Sequence, residues 1–137
     1  MKNTLIKMAA TSLLLVFSQS VLAWIDPAAP SASHHLEDAA TAIHDYLHDE
    51  YSSSFGAHGM EEASDALHSI LHDWSHGEAT EAEVVVAKDA LKEAWNNFRQ
   101  TINPAGILNS GDTQLDDMYQ EVKSAYKEVR WLLRKAK

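Results

Sequence analysis

Cysteine is absent from all 137 residues. Disulfides are therefore excluded, and in an oxidising compartment the core alone must hold the fold. Thiolate metal sites, the C-x-x-C-H attachment of c-type haem and a lipid-modified cysteine are excluded with them. Bases are missing over a long stretch as well. From Trp24 through Ala87 there are thirteen acids, Asp26 to Glu83, and no lysine or arginine. The chain has no nucleophile motif, no Gly-rich phosphate loop and no carboxylate pair set in an evident pocket, so an enzyme is not expected. Nothing after the amino terminus alternates for long enough to make strands.

Long apolar runs are scarce too. The one within Leu5 to Phe17 falls short of the roughly 20 residues that span a bilayer. It fits a signal peptide, with Lys2 and Lys7 giving a positive start. Ser18-Gln19-Ser20 then leads to Val21-Leu22-Ala23, which sets small residues where a signal peptidase needs them. Cleavage after Ala23 leaves the 114 residues 24–137, one domain expected in the periplasm or secreted. Losing Lys2 and Lys7 takes the formal charge from −9 to −11 with histidines neutral. That charge argues against nucleic acid, and stable membrane insertion is not expected. Trp24-Ile25-Asp26 lacks the third-position histidine of an amino-terminal copper clamp.

What the chain does have is helical periodicity in four segments. The first spans about 33–51, with Leu36, Ala40, Ile43 and Leu47 on one face, and breaks at Ser52-Ser53-Ser54-Phe55-Gly56. The second spans about 58–75, with Met60, Ala63, Leu67, Ile70, Leu71 and Trp74, and Gly77 stands where a glycine cap belongs. The third spans about 80–102. It opens on a Thr80/Glu83 capping box and runs through Ala87, Leu91, Trp95, Phe98 and Ile102. The fourth spans about 112–135, capped by Asp112 and built on Leu115, Met118, Val122, Tyr126, Val129 and Leu133. Short connections make this an all-α, antiparallel four-helix bundle following a cleaved signal peptide.

The first two segments are copies offset by 24 residues. His34-His35-Leu36-Glu37-Asp38-Ala39 lies over His58-Gly59-Met60-Glu61-Glu62-Ala63, Ala42-Ile43-His44 over Ala66-Leu67-His68, and Leu47-His48-Asp49 over Leu71-His72-Asp73. The third keeps the core pattern, but Lys92 and Asn96 replace the histidines. All eight histidines lie between His34 and His76. Counting 100° per residue from the core direction, Glu37, His44 and His48 fall roughly 100–140° round the first helix. Glu61, His68 and His72 take the same angles on the second, joined by Asp65 and His76. Each helix thus carries Glu-x6-His-x3-His beside its apolar face. Imidazoles at i and i+4 stand about 6 Å apart, close enough to chelate zinc, copper or nickel. The ligands expected from this pattern are His44, His48, His68 and His72, with Glu37, Glu61 and Asp65 as oxygen donors. In a hairpin centred near residue 55 or 56, His44 faces His68, His48 approaches Asp65 or Glu61, and His72 approaches Glu37; the stripes bridge the helices if the bundle turns them towards each other, and each pair is a weaker surface chelate if it turns them apart. His34, His35, His58 and His76 lie near helix ends, where a solvated or capping role is expected.

Other functions fit parts of the pattern. Eight histidines suit a pH-responsive module, since imidazole is the side chain whose ordinary charge change falls near neutral pH. Non-covalent b-type haem held by His44 and His68 would require ligands aimed into the core. The end of the fourth segment carries Lys123, Lys127, Arg130, Trp131, Arg134, Lys135 and Lys137, with Trp131 opposite the Leu115–Val129 stripe; an exposed tryptophan among bases could receive an acidic protein partner or an anionic membrane. The plainer expectation there is charge opposing the helix dipole, with Trp131 packed on the third helix.

Overall fold

The computed structural model describes residues 25–103 and 110–137, so the expected signal peptide, its cleavage site and Trp24 lie outside it. Four helices follow in order: α1 Ala29–Tyr51, α2 Ala57–Ser75, α3 Glu81–Ile102 and α4 Thr113–Leu132. No strand is formed among the described residues.

Local chemistry sets most of the boundaries. α1 begins four residues before the expected Ser33. Asp26 accepts the Ala28 N–H through its side chain at 2.9 Å and the Ala29 N–H through its carbonyl at 3.0 Å. Pro30 falls in the first turn, where a missing N–H costs nothing, and Ala29 and Ala32 extend the buried stripe backwards. α1 stops where Ser52 turns left-handed at φ 55°. α2 ends in a Schellman arrangement: the Gly77 N–H reaches the Trp74 carbonyl at 3.0 Å and the Glu78 N–H the Asp73 carbonyl at 2.8 Å. The Thr80/Glu83 box opens α3, and the Asp112 carboxylate accepts the Leu115 N–H at 3.2 Å to open α4.

Neighbouring helices run antiparallel. His35 near the start of α1 meets Glu121 of α4, and Tyr46 near its end meets Asp112. α1 packs on both α2 and α4, and α2 packs on α3. The α1–α2 seam is narrow because small residues line it. Ala39, Ala40, Ala57 and Ser64 are buried, and Ser64 bonds back to the Met60 carbonyl, so its hydroxyl is satisfied. Large rings fill the space between α3 and α4. Trp95 stacks on Tyr126 with centroids 4.9 Å apart and on Tyr119 at 5.9 Å, with Phe98 alongside. Rings of that size hold the two backbones apart, and this seam is wider than the others.

Tyr46 and Tyr51 both donate to the Asp112 carboxylate, at 2.6 and 2.9 Å, and so tie the end of α1 to the start of α4. The hydrogen bond to Asp112 pushes the Tyr46 phenol up to about 12. The same bond, helped by the Leu115 N–H, holds Asp112 below the usual carboxylate value. No helix of the described residues is long and apolar enough to cross a membrane.

Candidate metal centre

The acid-only hairpin of α1 and α2 brings histidines and glutamates together at two places. His34 and Glu37 of α1 meet His68 of α2, and His58 and Glu61 of α2 meet His44 of α1. In each group three donor atoms lie within 4.8 Å of one another. The groups are copies. A shift of 24 residues carries His34, Glu37 and His44 onto His58, Glu61 and His68. In an antiparallel pair of like helices that shift acts as a two-fold rotation, so each group takes H-x-x-E from one helix and a single histidine from the other.

In the first group, Glu37 Oε2 lies 2.7 Å from His68 Nδ1 and 3.8 Å from His34 Nδ1. The His34 and His68 rings are 4.8 Å apart. In the second, Glu61 Oε2 lies 3.0 Å from His44 Nδ1, and the His44 and His58 rings are 5.4 Å apart. That Glu61 oxygen is buried and makes no hydrogen bond; the imidazole is near enough to pair with it but is not aligned to donate. Tetrahedral zinc with bonds of about 2.1 Å holds its donors about 3.4 Å apart. The observed separations bracket that value, and two imidazoles with one carboxylate suit a borderline divalent ion. Three protein donors leave a fourth coordination position for water or another ligand.

Burial grades across each group. His44, Glu37, Glu61 and His68 are partly buried on the flank of the core, whereas His34 and His58 keep 58% and 60% of their side-chain surface exposed. Two of the three donors in each group thus lie against the core, and the outer histidines stand at the rim.

Of the residues expected from the sequence, His44, His68, Glu37 and Glu61 are brought together. His48 and His72 are not. Each lies one turn beyond its group, mostly exposed, with Nδ1 3.5 Å from the next residue's carboxylate, Asp49 or Asp73. Asp65 is exposed and joins neither group. The expected register also differs. The helices are joined at the expected break, residues 52–56, yet His44 meets Glu61 rather than His68, a slide of about two turns along α2. His34 and His58 are the donors that sequence reasoning missed. With α1 starting at Ala29, His34 sits in the second turn, inside the helix rather than at its end. The repeated H-x-x-E at 34–37 and 58–61 was the available signal.

Comparison with protein-family models, with curated proteins and with solved structures finds no match to this chain.

Proposed function

We propose that this protein is exported, with residues 1–23 as its signal peptide, and binds divalent transition metal in the periplasm or outside the cell. The ions are held at two equivalent centres, His34/Glu37/His68 and His44/His58/Glu61. The observation that carries this reading is the repetition itself. Two groups of the same donors, each assembled across the helix pair, arise from one 24-residue unit. The complete lack of lysine and arginine between residues 24 and 87 supports it, since it leaves a cation-attracting field around both groups. Zinc, copper and nickel all suit the donors. Two partly exposed centres with an open position favour buffering, sequestration or delivery rather than catalysis. Haem fits less well, because His44 and His68 belong to different groups.

Calorimetric titration with zinc tests the reading. The expected result is two ions per chain, falling to one in either His34→Ala/His68→Ala or His44→Ala/His58→Ala, and unchanged in His48→Ala/His72→Ala. A stoichiometry that follows His48 and His72 instead would reject both centres.

A second reading has its own support. Seven of the eight histidines, all but His76, lie within 4 Å of a carboxylate. Protonation would turn those contacts into ion pairs, as a pH-responsive module requires. Metal-free protein whose helix content and interactions change near the imidazole range, with no zinc binding, would favour this second reading.

A further inference from the structure

Beyond the aromatic seam, α3 and α4 leave a cleft of about 500 Å³ between them. Lys88 and Lys92 line it from α3, and Lys127, Arg130 and Arg134 from α4, with Asp89 the one acid among them. A separate, smaller cavity of about 30 Å³ adjoins it, sharing Lys88, Asp89, Lys92 and Arg130 and lined also by Leu91, Val129 and Leu133. Five of the nine bases after Ala87 therefore converge on one place. None of them forms an ion pair with a carboxylate among the described residues, where every such pair involves histidine. Lys88 is instead held by two backbone carbonyls, Leu133 at 3.0 Å and Ala136 at 2.8 Å.

Trp131 stands at the edge of the cleft. It is 63% exposed, so it is not packed away on the third helix as the sequence suggests. The Arg134 guanidinium lies over its ring, 3.8 Å from the centroid. Helix-dipole compensation accounts for bases in the last turn of α4 but not for Lys88 and Lys92, which are mid-helix in α3. Gathering unpaired like charges beside an exposed indole opposes stability unless something anionic is to be met there. The cleft falls within the ordinary size range of small-ligand sites.

We propose that the α3–α4 cleft is a binding site for a flat-bodied organic oligoanion. Its phosphate or carboxylate groups sit among the five bases, and its planar body stacks on Trp131. This site is independent of the histidine centres on the opposite hairpin.

Two probes of like charge test it: inorganic triphosphate and adenosine triphosphate, titrated into the purified protein in metal-depleted buffer and followed by calorimetry and by the Trp131 indole NMR signal. The nucleotide is expected to bind about tenfold more tightly, the increment that stacking on an aromatic ring supplies. Trp131→Ala should erase that difference while leaving triphosphate binding in place. Lys127→Gln/Arg130→Gln should weaken both probes by about tenfold or more. Both variants change exposed side chains only, and His34→Ala/His44→Ala should leave both affinities unmoved. Equal affinity for the two probes, or binding indifferent to Lys127 and Arg130, would overturn the proposal. So would binding only to phosphatidylglycerol vesicles, or a salt-sensitive self-association that the double variant abolishes.

Discussion

If both histidine centres bind zinc with similar affinity, each must contribute its own increment to thermal stability. At a free zinc concentration one hundred times Kd, one centre stabilises the native state by about 2.7 kcal/mol. Two centres of identical donors then supply about 5.4 kcal/mol. For a domain of this length, at about 4 °C per kcal/mol, each centre raises Tm by about 10 °C and the pair by about 20 °C. Replacing one of a centre's two imidazoles and so raising that centre's Kd a hundredfold leaves it only about 0.4 kcal/mol at the same zinc concentration. His68→Ala should therefore halve the zinc-induced rise in Tm, and His44→Ala should halve it independently. The double variant should lose nearly all of it. Differential scanning calorimetry with and without zinc reads this directly, with each variant's own metal-free Tm as baseline. The reasoning is refuted if either single variant abolishes the whole rise, which would mean one shared site. It is equally refuted if neither lowers it, or if His48→Ala/His72→Ala lowers it as much.

Three further outcomes are expected. Gly56 adopts φ 89°, and a Cβ there would meet the Phe98 backbone and the Asn97 side chain at 3.1 Å, so Gly56→Ala should cost about 1–3 kcal/mol in guanidinium unfolding. Trp95 is 8% exposed and stacks on two tyrosines; Trp95→Ala should cost about 3–5 kcal/mol in the same assay, with little change in zinc stoichiometry. The Tyr46–Asp112 bond gives a pH signature at both ends. With Tyr46 raised from 10.0 to about 12, its contribution is complete below pH 10 and is lost as pH rises towards 12. With Asp112 lowered from 3.8, its contribution is present above that value and is lost as pH falls below it. The Tm difference between the protein and Tyr46→Phe should thus be widest between these limits and shrink beyond each; a difference that stays flat into strong alkali would contradict the bond.

The helices were legible because their signals are local. Thr80 with Glu83, Asp112, and Gly77 each sit within three or four residues of the group they cap. The apolar stripes named the core, from Leu36 to Leu133. The flank of the centres was legible too, since angle from the core follows from position in the sequence. Partner identity was not, because it depends on how many residues the turn consumes. Across the connection of residues 52–56 the two helices settle with Glu61, not His68, beside His44. The i,i+4 spacing of His44 with His48, and of His68 with His72, pointed to chelation within one helix. Across the narrow α1–α2 seam, however, the outer member of each pair turns into solvent. For Trp131 the exposed alternative holds rather than the packed one. Two residues on from buried Val129, Trp131 lies about 200° round α4, on the side away from the core, and stays 63% exposed.

The crosswise assembly of the centres has a consequence for their origin. Glu37 and His44 are seven residues apart on one rigid helix, a rise of about 10 Å. A single 24-residue unit therefore cannot close its own histidine onto its own glutamate. Two such units side by side, antiparallel about a true two-fold axis, would build both centres at once from identical chains. Fusing them through a turn would then change the molecularity of the site from two chains to one, with no donor added or lost. In that sense the hairpin is a homodimer written on a single polypeptide.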